Sequence, residues 1–163
     1  MQRGFTLIEL IMVILMLGIL AVFVSPKLSN LNDFNARGFH DESLAFLRFA
    51  QKAAIAQRRT VCVTFSATSI SLQIAPLAPT AAAPTPNCGG SPKTLTGPSG
   101  TTGSVTAESG ISFATTPTDF NFDGLGRPIN SAGTALSTQT IQVTNAAQSI
   151  VVEGITGYVH ETP

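Results

Sequence analysis

The first strong pattern in the chain is an almost wholly apolar run over residues 5–24, "FTLIELIMVILMLGILAVFV", which contains a single acid, Glu9. As an α-helix, about 20 residues extend about 30 Å, the thickness of the hydrocarbon core of a bilayer. The pattern therefore predicts a transmembrane helix over residues 5–26. Because a carboxylate at membrane depth is costly and is usually retained for a function, Glu9 is a candidate functional residue.

Two simpler interpretations of this run stay open. A plain anchor helix fits the length but does not need Glu9. A cleaved secretory signal peptide has a basic start, a shorter apolar run and a small-residue cleavage site. Here Arg3 is the basic residue at the start, and "SPKL" follows the run.

The pattern becomes amphipathic after residue 26. Apolar residues recur at spacings of three and four, as in a helix with one buried face: Phe39, Leu44, Phe46, Leu47, Ala50, Ala53, Ala54 and Ile55. The basic residues between them predict a solvated face: Arg37, Arg48, Lys52, Arg58 and Arg59. We therefore expect the helix to continue over residues 27–60.

From residue 61 onwards the pattern has a period of two, which is typical of strands. It predicts strands over residues 61–65, 69–75, 111–115, 119–122, 140–144, 149–153 and 157–161. The segment 76–104 is rich in Pro, Gly, Ser and Thr and predicts a long loop. One long helix followed by strands predicts an α+β fold, with the helix packed on an antiparallel β domain over residues 61–163.

Charge is scarce in the second half of the chain. Charged residues make up 11% of the sequence, and the basic residues beyond residue 60 are Lys93 and Arg127. A weakly charged segment rich in Thr, Ser and Gly indicates an exported domain. The C-terminal "GYVHETP" has no Lys or Arg, so we expect no nucleic-acid partner.

Cys62 and Cys88 are the two cysteines of the chain. Outside the cytoplasm a disulfide between them is feasible, and it would tie a core strand to the long loop. The alternative is a buried free Cys62 and an exposed free Cys88.

The segment "DFNFDGLGRPIN" offers a calcium candidate. Asp119, Asn121 and Asp123 match the first half of a calcium-binding loop, but the last position, which needs a bidentate Glu, holds Asn130. We favour a hairpin in which Phe120 and Phe122 alternate with polar residues that face outwards.

The sequence shows no arrangement typical of an enzyme. His40 and His160 are far apart in sequence, and we expect both on the surface. There is no Ser/His/Asp spacing, phosphate-binding loop or dinucleotide motif. We therefore predict a protein that is not an enzyme and that uses no cofactor or metal.

The N-terminal stretch "RGFTLIELIMVILMLGILA" resembles the start of type IV pilins and type II secretion pseudopilins. The resemblance implies a leader, residues 1–4, that ends at Gly4. It implies a prepilin peptidase that cuts this leader off on the cytoplasmic face and methylates the new amine of Phe5. It also implies that Glu9 pairs with the amine of a neighbouring subunit during assembly, because two such charges are costly alone in a membrane and tolerated as a pair.

The resemblance also carries expectations for the helix and for location. It implies that the helix loosens between Gly18 and Pro26, although both residue types are frequent in ordinary membrane helices. It implies one pass through the inner membrane, with Arg3 cytoplasmic and the C-terminal domain periplasmic, before incorporation into a pilus or pseudopilus. The implied partners are other pilins or pseudopilins, the prepilin peptidase, an inner-membrane assembly platform and membrane lipid.

Four short patterns, in order, are similar to GspH/FimT-like minor pilins: "AIAQRRTVCVTF", "DFNFDGLGRP", "IQV" and "SIVVEGITGYV". This similarity implies a minor subunit, and neither cysteine bounds a C-terminal loop, which also favours a minor role. The alternatives are a major pilus subunit, and a membrane-anchored periplasmic binding module or enzyme.

Overall fold

The computed structural model describes residues 5–28, 31–80, 88–89, 92–97, 100 and 103–162. In these residues two helices, α1 (Leu7–Leu28) and α2 (Leu31–Gln57), precede the strands. The predicted α+β class is confirmed, because α2 packs on antiparallel strands.

Helix α1 is the apolar helix, and its side chains are described as far as Leu20. Every described side chain over residues 5–20 is exposed. Among the helices of the described part of the chain, none has the combined length and apolarity needed to cross a membrane.

Helix α2 buries one face and ends in a defined cap. Its buried positions follow the predicted helical spacing: Ala36, Phe39, His40, Ser43, Leu44, Phe46, Leu47, Ala50, Ala53 and Ala54. At the end, the Arg58 N–H donates to the Ile55 carbonyl (3.3 Å) and the Arg59 N–H to the Ala54 carbonyl (3.1 Å). These two bonds form the Schellman motif, and Arg58 takes the left-handed conformation this motif requires, with φ of 49°.

The first sheet contains six antiparallel strands. They are β1 (Val61–Phe65), β2 (Ser69–Ile74), β3 (Lys93–Thr94), β4 (Ser104–Thr106), β5 (Phe120–Phe122) and β6 (Pro128–Ile129). The order is β3-β2-β1-β5-β6, and β4 also pairs with β2. The β1–β2 hairpin sets the register, with Val63 opposite Leu72.

The second sheet has three antiparallel strands, β7 (Gln139–Gln142), β8 (Ser149–Val152) and β9 (Val159–Glu161), in that order. An isolated bridge between Phe113 and Val143 connects the segment before β5 to the end of β7. The predicted strand over 111–115 therefore reduces to a single bridge. The backbone of this segment bonds to two different parts of the chain. The Phe113 N–H donates to the Ala67 carbonyl in the β1–β2 turn, and the Ala114 N–H donates to the Gln142 carbonyl of β7.

The core lies between α2 and the two sheets. Helix α2 contacts β1, β2, β4 and β5 of the first sheet and β9 of the second. A chain of aromatic rings crosses the core, with centroid distances of 5.0 Å for Phe39–Phe113, 5.9 Å for Phe65–Phe113 and 5.8 Å for Phe65–Phe120. Phe120–Phe122 extends it at 5.3 Å. Rings at these separations attract each other beyond their burial.

The segment predicted as a loop contains more structure than expected. Strand β3 lies inside residues 76–104 and β4 begins at its last residue. Leu95 is buried and donates its N–H to the Leu72 carbonyl. Gly103 allows this close approach, because a Cβ there would lie 1.9 Å from the Leu95 carbonyl oxygen.

Candidate functional site

The beginning of α1 is built by Thr6 and Glu9. The Glu9 N–H donates to the Thr6 hydroxyl (3.4 Å), and this hydroxyl lies 3.5 Å from the Glu9 carboxylate. The Leu10 N–H donates to the Thr6 carbonyl (3.2 Å), the first bond of the helix. Thr6 is therefore the N-cap and Glu9 the third helical residue, the positions of a capping box. Glu9 therefore contributes to the start of the helix, a role not predicted above, although "TLIE" matches the T-x-x-E signature of a capping box.

The surface around this cap is exposed and apolar. Phe5 precedes the helix and is 76% exposed, and Leu7 is 79% exposed. The same holds along the helix for the large apolar side chains Ile8, Leu10, Ile11, Met12, Val13, Ile14, Leu15, Met16, Leu17, Ile19 and Leu20. None of these side chains belongs to the core that α2 forms with the sheets. Exposed apolar surface of this extent is typical of sites of protein–protein or membrane contact.

The predicted processing residues fall at this end of the chain. Gly4 and the leader lie outside the described residues. Phe5 is described, and it stands four residues before Glu9, one turn of a helix. A new amine at Phe5 and the carboxylate of Glu9 would thus lie at the same end of α1, where the dipole favours an acid.

Gly18 and Pro26 both lie within α1, which runs to Leu28. A Cβ added at Gly18 would meet no atom within 4 Å. The described packing therefore gives no steric reason for glycine at this position. The expected loosening of the helix between the two residues stays a prediction.

The structure joins Cys62 and Cys88 by a disulfide, with Cα atoms 6.2 Å apart. Cys62 is the second residue of β1, opposite Gln73 of β2 and Asn121 of β5. The bond therefore attaches the segment around Cys88 to the outer face of the first sheet, at its centre.

Of the calcium candidates Asp119, Asn121 and Asp123, the two carboxylates accept hydrogen bonds within the fold. Asp119 accepts the Phe65 N–H at 2.8 Å. Asn121 lies in β5 with Cys62 and Ile129 as its neighbours across the sheet. Asn121 and Asp123 are nevertheless buried, and Asn121 shares the outer face of the sheet with its cross-strand neighbour Cys62.

Asp123 organises the hairpin between β5 and β6. Its Oδ1 accepts the N–H groups of Leu125 (2.9 Å) and Arg127 (2.8 Å). Its Oδ2 accepts Arg127 Nε (2.9 Å) and lies 2.8 Å from Arg127 Nη2. Asn130 closes the following turn by accepting from Ala132 and Thr134. These bonds favour the hairpin interpretation, since both Asp123 oxygens are already engaged.

Of the two histidines, His160 lies in β9 and His40 lies in α2. His160 is half-buried, stacks on Tyr158 and places Nε2 3.0 Å from a Glu153 carboxylate oxygen. This hydrogen bond, with a smaller contribution from the Glu161 backbone, raises the pKa of His160 above its ordinary value. The same bond lowers the pKa of Glu153. The expected surface position is wrong for His40, which lies on the buried face of α2 and is 4% exposed.

Comparison with known protein families gives one match at this end of the chain. Residues 1–25 match the family model described as the prokaryotic N-terminal methylation motif. No curated protein and no solved structure matches the chain significantly. The chain therefore carries the signature of type IV pilins and pseudopilins, and the predicted resemblance is confirmed at this level.

Proposed function

We propose that this protein is a minor pilin or pseudopilin, a structural subunit that takes part in assembling or initiating a type IV pilus or a type II secretion pseudopilus. In this proposal residues 5–26 hold the precursor in the inner membrane as a single pass. The domain over residues 61–163 and the α2 half of the helix stand in the periplasm. The partners are other pilins or pseudopilins, the prepilin peptidase, the assembly platform and membrane lipid, without nucleic acid.

One observation carries the proposal. The methylation motif covers a helix that is capped at Thr6 and whose described side chains are exposed from residue 5 to residue 20. A folded domain that leaves such a helix uncovered gains from burying it, first in lipid and then among equivalent helices.

Glu9 sets the axial position at which an incoming subunit joins the filament. The carboxylate is exposed at the start of α1, and its described hydrogen-bond partner is the Thr6 hydroxyl. A carboxylate and an amine in an apolar surrounding are each costly alone and are tolerated when paired. An incoming subunit whose methylated Phe5 amine meets the Glu9 carboxylate of its neighbour would therefore settle at one axial position.

The proposal is tested by the mass of the mature chain. We expect an N-terminus at methylated Phe5 in cells that contain the prepilin peptidase, and the unprocessed mass in cells that lack it. Gly4→Leu should leave the leader attached, whereas the matched leader variant Gln2→Ala should be processed normally. An intact Met1 in wild-type cells, or a cut near Ser25, would instead support a membrane-anchored binding module or an exported protein.

A further inference from the structure

The chain contains a cluster of ligand-type side chains away from the N-terminal site. His40 and Asp41 come from α2, and Glu161 comes from the end of β9. One ligand atom from each lies within 4.8 Å of the others. The three residues line a cavity of about 320 Å³, together with Arg37, Ala146, Ala147 and Gln148. In the described part of the chain, this is the group of His, Cys, Asp and Glu side chains close enough to share a cation.

His40 is the unusual member of the cluster. Its side chain is 5% exposed, and neither ring nitrogen has a hydrogen-bond partner. Nε2 lies 3.5 Å from a Glu161 carboxylate oxygen. A buried polar group without a partner costs free energy, so native proteins satisfy such groups with another residue, a water or a ligand. A cation held between this imidazole and the two carboxylates would satisfy one of its nitrogens.

We propose that His40, Asp41 and Glu161 form a binding site for a divalent transition-metal cation, with Zn²⁺ as its best-fitting occupant. One imidazole nitrogen and two carboxylate oxygens are ligands that Zn²⁺ accepts, whereas Ca²⁺ and Mg²⁺ prefer oxygen alone. This site is independent of the proposed assembly function. No cysteine thiol competes for the metal, because Cys62 and Cys88 form the disulfide.

The geometry requires only small adjustments. Ligand atoms around a tetrahedral zinc lie about 3.3 Å apart, given metal–ligand distances of about 2.0–2.2 Å. His40 is held by the core. Asp41 is exposed and the Glu161 side chain is 34% exposed, so both can move inwards. A water would complete the coordination.

The residues around the cluster determine how a bound metal would affect the fold. Arg37 lines the same cavity and is exposed, so it opposes a cation and can turn towards solvent. The metal would link the middle of α2 to the last strand of the second sheet. It would thereby stabilise the pairing of β9 with β8 near the end of the chain.

The test uses the full chain in detergent micelles, oxidised, without a histidine tag and stripped with a chelator. Titration calorimetry with ZnCl₂ should show one saturable site per chain, and excess MgCl₂ or CaCl₂ should not displace the metal. Glu161→Gln and Asp41→Asn should each weaken Zn²⁺ binding about tenfold or more. Even mutating a residue that only hydrogen-bonds a metal ligand lowers metal affinity about 10- to 100-fold. Arg37→Gln should tighten binding, since it removes a like charge.

The matched control is His160→Gln, which removes the other histidine, whose Nε2 contacts Glu153 and not the cluster, and it should leave a saturable Zn²⁺ site in place. Zn²⁺ should also raise the melting temperature of the wild type and not that of Glu161→Gln. Because both carboxylate positions are partly exposed, these variants remain informative even if a His40 substitution fails to fold. Absence of a saturable site, or a site lost in His160→Gln and kept in Glu161→Gln, would overturn the proposal.

Discussion

The Thr6 hydroxyl lies 3.4 Å from the backbone nitrogen of Glu9 and 3.5 Å from the Glu9 carboxylate. Glu9 therefore has two separable properties. Its backbone N–H and its carboxylate both contact the Thr6 hydroxyl at the start of the helix, and its charge is exposed. A capping box accepts Gln as well as Glu at this position, so the two properties can be tested apart.

Glu9→Gln should keep the cap and lose the charge. We expect this variant to be processed at Gly4 and to enter the membrane at least as well as wild type, because it removes a charge, which costs up to about 2.5–3.5 kcal/mol at the centre of a membrane helix. It should nevertheless be depleted from the sheared filament fraction. Thr6→Ala should weaken the start of the helix by about 1 kcal/mol and still assemble. Normal assembly of Glu9→Gln together with failed assembly of Glu9→Ala would instead assign the function of Glu9 to the cap.

The disulfide should contribute substantially to the stability of the domain. It closes a loop with a sequence separation of 26 residues. In the chain-entropy model, a loop of that size corresponds to about 3.5 kcal/mol at 25 °C. We expect reduction with dithiothreitol to lower the urea midpoint of the wild type. The double variant Cys62→Ser/Cys88→Ser should show the lowered midpoint from the start and no response to reductant. Equal midpoints for oxidised and reduced wild type would contradict this prediction.

The sequence pattern located the strands that alternate between core and outer face. β1 spans the predicted residues 61–65 because Val61, Val63 and Phe65 all face the core. β3 and β4 could not be found in the same way. They are two and three residues long, and what makes them strands is pairing with β2, which lies many residues earlier in the chain.

His40 and Thr6 show a different kind of omission. His40 lies at the helical spacing of Ala36, Ser43 and Leu47, all buried, so its position predicted burial even though its residue type suggested the surface. The T-x-x-E signal of Thr6 and Glu9 was equally visible in the sequence. By contrast, no local pattern places Glu161 beside His40, because that contact depends on how β9 packs against α2.

The pair formed by His160 and Glu153 predicts a pH dependence. The hydrogen bond between them raises the pKa of His160 above 6.5 and lowers that of Glu153 below 4.5. A raised histidine pKa stabilises the fold below the unfolded value, and this contribution is lost as pH rises through the folded value. A lowered carboxyl pKa stabilises the fold above 4.5, and this contribution is lost as pH falls through the folded value. The pair therefore stabilises the fold most at pH values between 4.5 and 6.5, where both contributions are present.

NMR titration of the His160 ring checks this pH dependence. We expect His160 to titrate above 6.5 in the wild type and to move down in Glu153→Gln, since the main cause of its raised pKa is removed. Glu108→Gln, which changes an exposed acid outside the pair, is the control and should leave the titration of His160 in place. A His160 pKa that is the same in wild type and Glu153→Gln would show that the pair does not form.

Asp123 should be a structural carboxylate of the β5–β6 hairpin and not a calcium ligand. It is 3% exposed and accepts two backbone N–H groups and the Arg127 guanidinium. Asp123→Ala leaves these donors without their acceptor, so we expect it to reduce the free energy of unfolding by about 2–3 kcal/mol. Arg127→Ala should cost less, because the backbone bonds to Asp123 remain and the guanidinium is about half exposed. CaCl₂ should leave the melting temperature of the wild type unchanged. If calcium raised the melting temperature of the wild type but not that of Asp119→Asn or Asp123→Asn, the calcium-loop interpretation would be restored. A hairpin that binds no calcium predicts no such rise.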